Sequence, residues 1–450
     1  MHTGSAANHW MSEPVEEYYC LPAERIAASL LHETNQVRLY LGKIASTKAC
    51  IKAKSYEYLL IIKFFGFRNQ KEENMKRCSL RTSLVMVMVF VAAAIPLSST
   101  QAFETQISGQ VNQLIMWADN GVDSDFFVAD NDNSSTRVRW TGSEDLGPVT
   151  AGFRIELEAQ RNASNKLDIP NTGDGEFEWN DRWLDGWFQG SWGKFSIGKG
   201  DGAANNTSQT DLSGTAVITY SGVNDTAGGF TWTVKDGTST GTPFRSGLKV
   251  GQTRSDFDGL SRNERIRYDT PKFAGFSFAG SITNGNAWEL SGWYAGAFGE
   301  HKLAASLGYI DTGDREIGGT ALDYNQWGAS ASWLAPIGLN LTASAGVRSY
   351  TGIKKQDRLA AGNSDDSNNF YLKLGWQFAD IHAVSIEWGR TEDLDFKGDE
   401  SSNWGLGYVI NPWGGVEFYA GARVFSLKQT QNPVNPEDIS QIMAGTRIKF

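Results

Sequence analysis

Charged side chains recur at every second residue in three separate segments of this chain, with apolar residues between them. Arg137 and Arg139 flank Val138; Arg154, Glu156 and Glu158 alternate with Ile155 and Leu157; Arg265 and Arg267 flank Ile266. Successive residues of an extended chain point to opposite faces, so each segment carries its ions on one face and its apolar groups on the other. Arginines that face acids across a water-filled gap set up a transverse field that discriminates between solutes. The same groups paired along one wall act only as struts. Covalent chemistry has little to work with. After Ala102 the chain keeps two histidines, His301 and His382, and no cysteine, and neither histidine has a serine partner by motif. The run Gly198-Lys199-Gly200-Asp201-Gly202 has the glycines of a phosphate loop, but it leaves a strand without entering a helix. No catalytic residue, metal ligand set or cofactor is expected.

The elements that position these residues are strands of roughly ten residues, read from period-two alternation. They fall at 104–118, 135–144, 149–160, 179–189, 194–199, 261–269, 273–283, 287–298, 302–310, 324–334, 339–350, 370–378, 382–389, 403–410, 416–426 and 441–450. Tight turns alternate with long connections, among them an acidic loop at 119–134 and the longest at 200–260. In the last strand Ile442, Ala444, Thr446, Ile448 and Phe450 share one face, expected against lipid, and Gln441, Met443, Gly445, Arg447 and Lys449 the other, expected toward a wet lumen. Trp117, Trp179, Trp288, Trp333, Trp376, Trp388, Phe378 and Tyr408 sit near strand ends, where membrane interfaces collect aromatics. An even number of strands with both ends on one side closes into an all-β, sixteen-stranded transmembrane antiparallel barrel. A soluble sandwich would bury the apolar face and show no such aromatic preference. Because a charge on the lipid face costs roughly 2–4 kcal/mol near the midplane, the arginines are expected inside. Among the acids of the 200–260 connection, which include Asp201, Asp225, Asp236, Asp256 and Asp258, Asp211 is the one expected to face them. Trp293, Tyr371, Tyr419 and Phe425 fall on inward parity and are expected to pack against the inserted loop. Asp123, Asp125, Asp130, Asp132, Asp365 and Asp366 read as solvated surface.

Met75 begins a basic stretch, Lys76-Arg77-Cys78, followed by an apolar run at 84–97 and by Ser99-Thr100-Gln101-Ala102. That pattern is a secretory signal peptide over 75–102, and its apolar run is shorter than the roughly 20 residues of a spanning helix. Residues 1–74 read as an upstream extension and 103–450 as the mature chain. Cys20, Cys50 and Cys78 all precede Ala102, which excludes a disulfide framework from the exported part. That part holds 29 basic and 43 acidic residues, an excess that argues against nucleic-acid partners. Mean hydropathy is −0.36, an ordinary value that an alternating barrel shares with soluble proteins.

Several segments resemble the general-porin family of Gram-negative outer membranes. They are Ile107-Ser108-Gly109-Gln110-Val111-Asn112, Arg137-Val138-Arg139-Trp140-Thr141-Gly142-Ser143-Glu144-Asp145-Leu146-Gly147, Phe195-Ser196-Ile197-Gly198-Lys199-Gly200, the stretch from Ile266 to Ser277 (IRYDTPKFAGFS), and the terminal Phe450. The resemblance implies a trimeric pore in the outer membrane, narrowed by its long third loop folded into the lumen, with basic residues on the wall facing acids on that loop. Arg137 and Arg182 match two positions of the family's arginine cluster. Gln110 and Ser261 stand where members have basic residues, and no Pro-Glu-Phe-Gly motif marks the third loop. The constriction is therefore expected at Arg137, Arg139, Arg154, Arg182, Arg265, Arg267 and Asp211, with Phe450 as the barrel-closing signal read by the assembly machinery. The implied function is passive diffusion of small hydrophilic solutes, with membrane lipid and lipopolysaccharide as surroundings. A sugar-specific channel is the alternative; an outer-membrane hydrolase or an adhesin barrel comes after it.

Overall fold

The computed structural model describes residues 103–169, 175, 177–235, 247–430 and 436–450. The expected signal peptide at 75–102, the expected upstream extension at 1–74 and Asp236 lie outside them. Alternating apolar and polar residues form β1 (Glu104–Asp119), β2 (Ser124–Asp130), β3 (Arg137–Asp145), β4 (Thr150–Gln160), β5 (Glu178–Gly190), β6 (Gly193–Asp201), β7 (Arg262–Asp269), β8 (Phe276–Thr283), β9 (Trp288–Phe298) and β10 (His301–Asp311). A two-residue pair, β11 (Glu316–Ile317) and β12 (Thr320–Ala321), precedes β13 (Tyr324–Leu334), β14 (Leu339–Tyr350), β15 (Asp366–Phe378), β16 (His382–Glu392), β17 (Glu400–Trp413), β18 (Val416–Lys428) and β19 (Ile439–Lys449). Each wall strand pairs antiparallel with its neighbours, and β19 returns to β1 from Gln110↔Lys449 to Asp119↔Ser440. The backbone of Phe450 completes the seam: its N–H donates to the Gly109 carbonyl at 3.1 Å and its carbonyl accepts from the Gly109 N–H at 2.9 Å. Gly109 is required there, because a Cβ would meet the Phe450 ring at 2.6 Å.

Two findings correct the strand boundaries expected from sequence. The presumed acidic loop at 119–134 contains β2, which pairs with the far half of β1 while β3 pairs with its near half. β2 and β3 are thus one broken wall strand, interrupted by a 3-10 turn at Asp132–Ser134, and the closed wall has sixteen strands. β2 escaped notice because both its faces are apolar: Phe126 and Val128 point outward, whereas Phe127 and Ala129 are buried inside. β15, β16 and β17 also run further than their apolar alternation, through polar residues such as Asp366, Asn368, Glu392, Glu400 and Ser401 that resemble loop composition.

The outside of the wall is apolar and exposed, with Ile107 at 69%, Ile282 at 63% and Ile442 at 60%. A surface like that suits hydrocarbon and no aqueous monomer. Rings gather at the turn end, where Phe298, His301 and Trp333 stack at 5.2 and 5.6 Å and Phe378, His382 and Tyr408 at 5.0 and 5.9 Å. Both histidines therefore serve the aromatic belt.

Inside, the 202–261 connection runs along the inner face of β9 to β19. Thr210 and Leu212 donate backbone N–H groups to Ser330 and Ser332 at 2.9 Å, Ser306 donates to the Thr207 carbonyl at 2.8 Å, and Gln441 to the Thr226 carbonyl at 2.9 Å. The approach is close because the wall is glycine there: a Cβ on Gly346 would meet Phe257 at 2.9 Å, and one on Gly407 would meet Thr219 at 2.7 Å. Beside the β1–β19 seam the contact is dry. Leu114, Met116 and Phe127 from the wall pack with Ile218, Phe230 and Trp232 from the connection and with Tyr419, Phe425 and Met443. The inner face of the closing strand was expected to be wet; here Gln441 and Met443 are covered. Tyr371, Tyr419 and Phe425 are buried, as their packing role requires.

Candidate functional site

The space left open lies against β3 to β8, and its wall is organised by one carboxylate. Glu156, inward on β4 and fully buried, accepts from Arg137 at 3.4 Å, Arg139 at 2.6 Å, Arg154 at 2.5 Å and Arg182 at 3.0 Å. Glu158, two residues along the same face, pairs with Arg182 and accepts from the Ser135 hydroxyl. Cross-strand register explains most of this, since Arg137 lies opposite Glu158 and Arg139 opposite Glu156. Arg182 reaches the cluster through a β-bulge. The β4–β5 register slips between Glu156 and Leu157, so Arg182 and Trp183 both point inward. Four cations meet two anions, and the wall keeps a net positive charge.

Facing Arg182 and Arg262 across a polar cavity of 670 Å³ are Asp225 and Asp258 of the 202–261 connection, with Asn205, Asn206 and Gln209 beside them. The Asp258 carboxylate is fixed by the N–H groups of Asn206 at 2.7 Å and Ser208 at 3.0 Å. Burial, and next the Asp256 carboxylate, push the Asp258 carboxyl up to about 8 against those donors. Asp225 moves the same way, from burial first and then from Asp132 and Asp256. A raised carboxyl is neutral below its pKa and gains its charge above it. As pH rises through about 8, the gap gains negative charge, so the reversal potential in a salt gradient should move toward cation preference. Asp258→Asn should remove that step, and a step unchanged in the variant would show that another group titrates.

The other expected residues are placed as follows. Arg265 is buried and paired with Asp185 at 2.7 Å, and it also donates to the carbonyls of Gly198 and Asp201. Arg267 pairs with Asp269 at 2.8 Å on its own strand and donates to the Gly202 carbonyl at 2.7 Å. Asp211 is not brought to the arginines. It pairs with Lys373 on β15, whose ammonium is fully buried and also donates to the Thr219 carbonyl at 2.8 Å. Asp130 and Asp132, expected on the surface, instead hold the next connection. Asp130 accepts from the N–H groups of Arg161 and Asn162, and Asp132 accepts from Gln160 and Asn165. Sequence reasoning missed Arg262, whose guanidinium stands 3.3 Å from Asp201, and also Lys373, Arg254 and Arg423. Only Arg262 carried a visible signal, because it opens the strand that holds Arg265 and Arg267.

A closed barrel with a greasy exterior and ion-lined interior space is a channel of the outer membrane. The family model for Gram-negative porins matches residues 83–430, and the chain belongs to that family. Its fold is similar to that of the anion-selective porin from Comamonas acidovorans, at 16% identity and TM-score 0.51, over 78% of this chain and 100% of that one. The trimer form of OmpT from Vibrio cholerae follows at 13% and 0.48, over 78% and 100%, and the outer-membrane channel DcaP of Acinetobacter baumannii at 9% and 0.48, over 79% and 99%. No curated protein matches.

Proposed function

We propose that this outer-membrane porin passes small hydrophilic solutes and ions through the gap between the arginine wall and the acids of the 202–261 connection. The expected constriction set is narrowed on one side and widened on the other: Arg137, Arg139, Arg154 and Arg182 line it with Arg262, opposite Asp225 and Asp258, while Arg265 and Arg267 brace the wall and Asp211 anchors the connection. The observation that carries this reading is the convergence of four arginines on Glu156 beside an open polar cavity. A non-enzymatic channel, exported through the 75–102 leader, assembled through its Phe450 strand and working as a homotrimer among lipid and lipopolysaccharide, completes the proposal. Protein extracted from outer membranes and added to planar bilayers should give triplets of equal conductance steps without block by sugars. Strong block by one sugar would favour the specific channel, and absence of conductance would remove both.

A further inference from the structure

We infer that the wall just past the arginine cluster carries a binding site for planar aromatic carboxylates, built on Trp183 and Trp187 of β5. The inference rests on the channel reading above and names the solute class. Both indoles point inward, four residues apart on one face. Each lies along the wall above a glycine of a neighbouring strand: a Cβ on Gly200 would meet Trp183 at 2.7 Å, and one on Gly152 would strike Trp187. Wall glycines on either side of β5 are what let two large rings lie flat in a wet passage. A cation accompanies each ring. The Arg154 guanidinium sits 3.9 Å from the Trp183 centroid, and the Lys194 ammonium 4.6 Å from that of Trp187. Among the described residues the Lys194 side chain makes no hydrogen bond or salt bridge, so its N–H donors are open to a solute, and the Arg154 side chain stays partly exposed beside them. These groups border one cavity of 490 Å³.

A neutral sugar gains from bare ring faces, whereas here the faces already carry cations. A solute joining a flat ring to a carboxylate meets both features: its ring meets the edge of the Trp187 indole and its carboxylate takes Lys194 or Arg154. The expected site thus binds benzoate-like anions weakly during passage.

The test is block of single-channel salt current by benzoate, with cyclohexanecarboxylate as an anion lacking a planar ring and benzyl alcohol as a ring lacking charge. Benzoate should block more strongly than either, and Trp187→Leu or Lys194→Gln should raise its half-blocking concentration about tenfold. Trp187→Phe should keep most of the block, and both Trp187 variants should keep the salt conductance. Equal block by the three probes, or benzoate block indifferent to both Trp187→Leu and Lys194→Gln, would overturn the site while leaving the channel intact. A wild-type protein without salt current would overturn the channel, and the site with it.

Discussion

Glu156→Gln should convert the passage to strong anion preference and weaken the barrel at the same time. The carboxylate is fully buried and serves Arg137, Arg139, Arg154 and Arg182; the amide keeps one acceptor oxygen and turns an NH2 donor toward guanidinium groups that cannot accept. Breaking a buried ion pair from one side costs about 3–5 kcal/mol, and the lower end applies here because Arg139 and Arg154 retain contact with water. Removing one negative charge a few ångströms from the permeating ions is worth on the order of 1 kcal/mol, roughly fivefold in the anion-to-cation ratio. Reversal potential in a salt gradient reads the second effect, and the temperature at which the barrel unfolds in detergent reads the first. Glu158→Gln should do less, since Glu158 holds Arg182 alone among the arginines. Equal effects from the two variants would show that Glu156 is not the hub.

Lys373→Met should loosen the connection that lies along the inner wall. Lys373 and Asp211 are buried together, and the same ammonium holds the Thr219 carbonyl. Methionine keeps the volume and leaves Asp211 a buried charge without its partner, at a cost of about 3–5 kcal/mol. The 211–219 stretch should leave the wall intermittently, giving larger and noisier single-channel currents. Pairing the change with Asp211→Asn should recover much of the stability, because no lone charge then remains. A quiet channel of wild-type conductance in Lys373→Met would show that Arg254 and Arg423 suffice as anchors. Arg254 is fully buried against Asn369, Thr391 and Asn403, and Arg423 holds the Ile218 carbonyl and Glu387.

Local rules made the barrel legible. Alternation in β3, β4 and β7, the aromatic ends and the closing strand each follow from the two faces of a strand, and β2 was missed only because the connection inside covers it with apolar groups. The constriction was half legible. Arg137, Arg139 and Arg154 face inward by parity alone, but parity cannot place Arg182 and Trp183 on the same side, which a bulge accomplishes. Only the family resemblance pointed to Arg182. Asp211 misled because its partner, Lys373, is 162 residues away. Pairings across a barrel interior leave no spacing in the sequence, and the small residues that admit them, such as Gly328, Gly346 and Gly389, look like strand defects until the covering segment is seen above them.

The central claim is a sealed wall with lipid outside, an open passage along β3 to β8 and a covered inner face along β9 to β19. The chain after Ala102 has no cysteine, so single cysteines can be placed at Gln106 on the open inner face, at its neighbour Ile107 on the outer face, and at Ser306 under the 202–261 connection. A charged, water-soluble thiol reagent added during single-channel recording should change the conductance of Gln106→Cys and leave Ile107→Cys and Ser306→Cys unchanged. Modification of current at Ile107→Cys, or none at Gln106→Cys, would contradict the account.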